Sequence, residues 1–312
     1  MTNLVSSSPV LPVPCCKDGR LPDGILVIDK PRGPTSHQVT AWAGELLNAD
    51  VGHSGTLDPQ VSGVLLVMKG KAVRLAPLLL RHEKEYVCLM RLHGNAPASR
   101  ITEVADEFTG KIYQRPPRRS AVARNLRIRT IHEISILDTS GRLVLFRVRC
   151  DAGTYIRSLC HHMGLIIGTG AHMQELRRTR SGGFDEGMAY TLHDLADAMK
   201  LYETGDESRI CEMIRPVTEA VDGQPSVVVR DTAVDALCRG AGLAGIGVIS
   251  NDLFSKNEKV VIKTAAGELI GIGEALINST GFKPGDHGLV VAPRTIFMKP
   301  GTYTKGWKTH SR

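Results

Sequence analysis

The stretch Gly52-His-Ser-Gly-Thr-Leu-Asp58-Pro-Gln-Val-Ser-Gly63-Val-Leu-Leu66 sets one carboxylate in a passage punctuated by glycine and proline. Glycines at 52, 55 and 63 permit backbone angles and close approaches that a side chain forbids. Pro59 biases Asp58 toward an extended backbone and helps to fix where its carboxylate points. The apolar run 64–67 then reads as a buried strand. Asp58 therefore sits on a stiff loop feeding a core element, a common mounting for a functional group. An Asp-Pro pair also makes turns through its own side chain, and the local pattern leaves both readings open.

Outward from this loop, 24–29 reads as a short buried strand, broken by Lys30-Pro-Arg-Gly-Pro34. Thr35 or Ser36 can cap a helix whose Val39, Trp42, Ala43, Leu46 and Leu47 follow helical spacing. On the other side, 71–80 reads as helix. Residues 86–92 read as a strand in which Tyr86, Cys88 and Met90 alternate with Val87, Leu89 and Arg91. Residues 143–150 form a further strand, Asp151-Ala-Gly153 a turn, and Thr154 the cap of a helix carrying Ile156, Leu159 and Met163 on one face. Arg157 falls in the first turn of that helix, where the macrodipole disfavours a cation. A nearby anion would offset this; otherwise the side chain reaches to water.

From Lys111 to Ile131 there is no acidic residue, while Arg115, Arg118, Arg119, Arg124, Arg127 and Arg129 fall inside. Such density of guanidinium repels itself without an anion and favours phosphate contact over a merely solvated loop. A second cluster is Arg177-Arg178-Thr179-Arg180, and the formal net charge of +7 points to the same class of partner. Cys160, His161, His162 and His172 complete no zinc spacing, and adjacent histidines point to different sides of a helix. No metal site is expected.

A length of 312 residues suggests two domains, and Asp222-Gly-Gln-Pro225 marks the boundary between them. Before it, 192–202 reads as an amphipathic helix. Beyond it, short strands at 227–229, 260–263, 269–272, 289–292 and 295–298, with a helix at 232–239, suggest a small barrel or sandwich. The seven scattered cysteines form no C-x-x-C pair and read as reduced thiols of a cytoplasmic protein. The proline-interrupted apolar start is not a signal peptide, and no apolar run reaches membrane-spanning length, so no membrane partner is expected.

Taken together, these motifs resemble the TruB family of pseudouridine synthases, most closely its archaeal and eukaryotic H/ACA (dyskerin-like) branch. Residues 52–59 are similar to the family's catalytic motif, 84–94 to its tyrosine motif, 153–159 to its arginine motif and Asp29-Lys30-Pro31 to its first motif. Residues 114–122 and 175–182 point to the H/ACA branch, and 293–303 resemble the end of a PUA domain. Gly183 departs from the pattern, standing where proline is common.

The resemblance implies a mixed α/β catalytic domain with a largely antiparallel sheet and flanking helices, plus a small β-barrel PUA domain. The implied layout is a flexible tail over 1–20, a synthase domain over 21–222, a PUA domain over 223–305 and a second tail over 306–312. Asp58 would attack a flipped uridine, whose uracil is detached, rotated and rejoined through carbon. Arg157 would pair with Asp58, and Tyr86 would stack on the base and assist proton transfer. His53, Lys30 and Leu159 would help hold the nucleotide. Arg115, Arg118, Arg119, Arg124, Arg177, Arg178 and Arg180 would contact RNA. The implied partners are rRNA or tRNA substrate, an H/ACA guide RNA and small accessory proteins, one of which binds kink-turn RNA. The isomerisation needs no cofactor and no metal. The alternatives are a stand-alone tRNA enzyme and, from another class, a non-catalytic RNA-binding assembly factor. A glycosidase is weaker, because no second carboxylate stands at a matching motif.

Overall fold

The computed structural model describes residues 20–115 and 125–304. The chain divides into two compact units between Arg215 and Pro216. In the first, β1 (Gly24–Lys30) leads to α1 (Ser36–Leu47). Thr35 caps that helix in a reciprocal box with Gln38, so of the two candidate caps it is Thr35 that serves. The strands β2 (Val51–Ser54) and β3 (Ser62–Lys69) flank the Asp58 loop. The expected helix over 71–80 is instead a 3-10 turn, Gly70–Leu75, followed by the short α2 (Ala76–Leu79), with Pro77 in its first turn.

Next come β4 (Lys84–Leu92), α3 (Ala98–Glu107), β5 (Gly110–Gln114), β6 (Arg127–Ser140) and β7 (Leu143–Cys150). The ends of the basic stretch are thus paired strands, with Tyr113 opposite Ile128 and Gln114 opposite Arg127. The unit is completed by α4 (Ile156–Ile167), β8 (Ala171–Ser181), β9 (Phe184–Asp185), α5 (Leu192–Glu203), α6 (Ser208–Met213) and β10 (Ile214–Arg215).

These strands form one sheet in the order β10-β1-β3-β8-β4-β7-β6-β5, with β2 added to β3 and β9 to β8. All pairings are antiparallel except β3 with β8, which meet in parallel through Ser62–Arg177 and Gly63–Arg178. Gly63 is obligatory at this seam. Its φ is +103°, and a Cβ there would collide with the Arg178 backbone. Apolar clusters pack the helices onto the sheet. Val39, Ala43 and Leu47 of α1 and Leu195 and Ala198 of α5 pack on β1 and β3, while Ile101 and Val104 of α3 and Leu159 and Met163 of α4 pack on β4 and β7. Trp42, expected on the apolar face of α1, is exposed.

The second unit carries β11 (Ser226–Val229), α7 (Asp231–Cys238), β12 (Leu243–Ala244), β13 (Val248–Asn251), β14 (Lys259–Thr264), β15 (Leu269–Ala275) and β16 (Leu289–Ile296). They form a sheet in the order β12-β16-β15-β14-β11-β13 around Val229, Val234, Val260, Ile270 and Val291. The two strands expected at 289–292 and 295–298 are one, because a register shift opposite Ile272 and Gly273 lets the chain pass Pro293 without leaving the sheet.

Candidate active site

The loop carrying Asp58 is held from three sides by buried polar groups. The Ser36 hydroxyl at the start of α1 donates to the Leu57 carbonyl at 2.9 Å and accepts from the Leu57 N–H at 2.8 Å. Lys30, at the end of β1, directs its ammonium at the carbonyls of Pro31, Pro59 and Val61. Arg178 on β8 donates to the carbonyls of Val64 and Gly55. Neither Lys30 nor Arg178 shows more than 1% of its surface to solvent, so their charges are spent on loop carbonyls. Burial lowers the pKa of both, with Arg178 adding to the effect at Lys30 and Asp58 opposing it there.

Against this braced loop stands α4. Its first turn places the Arg157 guanidinium on the Asp58 carboxylate, supplying the anion that a cation at a helix N-terminus calls for. Both side chains keep about half their surface exposed. The helix begins after Tyr155 rather than being capped by Thr154, whose hydroxyl instead donates to the Asp151 carbonyl and closes the preceding turn. Gln114 of β5 accepts from the Tyr155 N–H and donates to the Tyr155 carbonyl, fixing the same helix start from the other side.

A cavity of about 330 Å³ opens beside the pair, lined among others by Leu57, Asp58, Lys84, Tyr86, Arg157 and Leu176. The size suits a single nucleobase. Tyr86 rises from β4 to line this space, with Arg178 on the same cavity wall. Burial lifts the phenol above its ordinary pKa, and Arg178 only partly offsets that. Lys84, two residues earlier and on the same side of the strand, is buried, and its pKa is lowered to about 7 by burial and by Arg178.

The structure thus brings Asp58, Arg157 and Tyr86 together, and it relocates other expected residues. Arg178 and Lys30 are buried braces that donate to backbone carbonyls of the Asp58 loop and its flanks, and Arg178 also lines the cavity. Leu159 is fully buried in the α4 core, and the leucine on the cavity wall is Leu176. His53 lies on β2, half-buried and edge-on to His37 with ring centres 4.8 Å apart, and it does not line the cavity. Burial first, then His37 and Arg178, lowers its pKa. Arg177 is engaged by Asp29 at 2.9 Å and Glu186 at 2.7 Å. Arg180 and Arg115 are exposed. Arg118, Arg119 and Arg124 lie outside the described residues.

Lys84 and Leu176 escape sequence reasoning as site residues, although period-two spacing from Tyr86 is a signal for the first. Among the described residues no group of three or more His, Cys, Asp or Glu is placed to hold a metal ion, and no helix is long and apolar enough to cross a membrane. Cys88, Cys150, Cys160 and Cys238 form no disulfide.

Residues 45–156 match the model of the TruB family pseudouridylate synthase N-terminal domain, 157–222 that of the tRNA pseudouridylate synthase B C-terminal domain, and 225–297 that of the PUA domain. The chain is 49% identical over 288 residues to a probable tRNA pseudouridine synthase B of Methanothermobacter thermautotrophicus, covering 91% of this chain and 89% of that one. The probable tRNA pseudouridine synthase B of Archaeoglobus fulgidus is 46% identical over 292 residues, covering 92% and 90% of the two chains. Among solved structures, a chain of an H/ACA RNP bound to a substrate RNA containing 2'-deoxyuridine superposes with a TM-score of 0.85 at 44% identity, over 91% of this chain and 88% of that one. A chain of a Cbf5-Nop10-Gar1 complex superposes equally well, with a TM-score of 0.85 at 47% identity over 89% and 85%.

Proposed function

The chain belongs to the TruB family of pseudouridylate synthases, and on that premise we propose that Asp58, Arg157 and Tyr86 isomerise a flipped uridine of RNA in the cavity they share. The observation that carries the reading is the Arg157–Asp58 pair at the edge of a base-sized cavity. The guanidinium orients the carboxylate at the cavity edge, where the carboxylate is the nucleophile. In the isomerisation the bond between uracil N1 and ribose C1' breaks, the ring turns, and C5 bonds to C1'. The proton displaced from C5 is balanced by one gained at N1. Tyr86 offers its ring as the stacking face during that turn, and Leu57 and Leu176 supply apolar walls. Flipping the nucleotide costs a few kcal/mol of unstacking, which phosphate contacts from exposed arginines such as Arg115 and Arg180 offset.

The substrate reading is an rRNA uridine presented by an H/ACA guide RNA with small accessory proteins, including one that binds kink-turn RNA, together with the TΨC-loop uridine of tRNA. Relatives described as tRNA pseudouridine synthase B support the second target, and the neighbouring chains of H/ACA complexes support the first. A PUA match over 225–297 supplies the further RNA-binding module both readings use. The working compartment is the cytoplasm. Replacing Asp58 by Asn abolishes pseudouridine formation and leaves RNA affinity within a few-fold; substantial turnover by the variant overturns the assignment. Assays on tRNA and on rRNA, each with and without guide RNA and accessory proteins, decide between targets: turnover on naked tRNA alone removes the guided reading.

A further inference from the structure

The isomerisation moves one proton. The C5–H of uracil is lost when the carbon link forms, and an N1–H appears in the product. A single group that accepts and then returns this proton must reach the cavity, must be able to be neutral near physiological pH, and must keep a lone pair that no other bond occupies. We propose that Lys84 is that proton-exchange group: its amine takes the C5 proton as the ring double bond is restored and delivers it to N1. The inference rests on the reading of this cavity as the uridine site.

Three observations support it. Lys84 lines the cavity with Asp58 and Tyr86, and it stands two residues from Tyr86 on the same side of β4. Its amine donates to two carbonyls, Leu79 at 3.1 Å and His82 at 2.7 Å. A neutral amine has two N–H groups and one lone pair, so these two bonds hold the amine in either protonation state and leave its remaining valence to exchange the proton. Among the described residues no carboxylate is bonded to it to hold the charge. The groups that face it are the Arg178 guanidinium from β8, the Cys150 thiol from β7, the His82 imidazole and, along its own strand, Tyr86. Burial pushes Cys150 up to about 12, so that thiol is neutral and supplies no anion. Burial and Arg178 bring Lys84 to about 7, where the amine can both take and give a proton. The other candidates are less suited. Asp58 is committed to the uridine and Arg157, and burial raises the Tyr86 phenol above its ordinary pKa, so it is a poor acceptor and donor near neutrality.

The test uses full-length protein and RNA carrying tritium at uracil C5, with tritium release read in single turnover. Lys84→Arg keeps a cation and its donors but accepts no proton near neutrality. The expected loss is about 100-fold or more in release rate, with RNA affinity within about threefold. Lys84→Ala regains rate with added primary amines, in proportion to the free-base concentration. The wild-type rate rises with pH through about 7, and the Lys84→Arg profile lacks that limb. Release by Lys84→Arg within about threefold of wild type overturns the assignment. So does a wild-type rate that is flat between about pH 6 and 8, a result that requires no variant to fold. Wild-type pseudouridine yield on the same RNA, read in parallel, separates loss of this assignment from loss of the synthase reading.

Discussion

Arg157 and Asp58 lie 99 residues apart in the chain and meet as an ion pair where the first turn of α4 faces the loop between β2 and β3. Each solves a problem for the other. The guanidinium sits at a helix end that disfavours positive charge, and in return it orients the carboxylate at the cavity edge. Because both remain half-exposed, the pair adds little to stability, and its worth lies in the site.

Replacing Arg157 by Met therefore separates the two roles. Turnover is expected to fall by about 100-fold or more, as for loss of a preorganised electrostatic group. The melting temperature should stay within a few degrees of wild type. A variant that melts far lower would show the pair to be structural; one with full turnover would remove Arg157 from the site.

Within the second basic cluster the structure assigns opposite duties to neighbours. Arg178 is buried and donates to two backbone carbonyls, so Arg178→Met strands both and should cost at least about 2 kcal/mol of stability. Arg180 is exposed, so Arg180→Gln should leave stability unchanged and reduce the slope of log affinity against log salt by about 1. Urea unfolding and a salt titration of RNA binding check the two outcomes separately. An unchanged slope would remove Arg180 from phosphate contact.

Local pattern carried much of this fold. The buried strands around Asp58, the alternation around Tyr86 and the helix bearing Arg157 are all set by near-neighbour chemistry, and each is found within a residue or two of where spacing places it. The misreadings share one cause. Charge in a run such as Arg177-Arg178-Thr179-Arg180 signals exposure, but Arg178 finds its partners at Gly55 and Val64, more than a hundred residues away. Lys30 turns inward for the same reason, toward carbonyls of a loop it precedes by some thirty residues. Leu159 and Leu176 both read as apolar, and only the packing of α4 on β8, the strand that carries Leu176, decides which one faces the cavity. The proline in α2 broke a helix that composition alone favoured.

Two half-buried histidines set the acid side of stability. The pKa values of His82 and His53 are lowered in the fold, chiefly by burial, with Lys84 adding to the effect at His82 and His37 at His53. Below the ordinary imidazole value of 6.5 the unfolded chain binds more protons than the fold does, so stability falls as pH falls. The melting temperature should drop steadily from about pH 7 to 5. His82→Phe removes part of that slope, since neither ring nitrogen of His82 has a partner to lose. A slope identical in the variant would place the acid lability elsewhere.

The Ser36 hydroxyl is the smallest of the three braces on the Asp58 loop and the cleanest to remove. It both donates to and accepts from the backbone of Leu57, the residue beside Asp58. Ser36→Ala leaves a buried N–H and a buried carbonyl unsatisfied, at a cost of about 1–3 kcal/mol. It opens almost no cavity, and α1 keeps its Thr35 cap. The loss should therefore appear in two places: a lower urea midpoint, and a turnover number that falls by more than RNA affinity does, because the carboxylate is less well held for attack. Ser36→Thr restores the hydroxyl and should recover turnover if the added methyl is tolerated between α1 and β3. Equal losses in turnover and affinity would mean that the brace serves RNA docking and not the placement of Asp58.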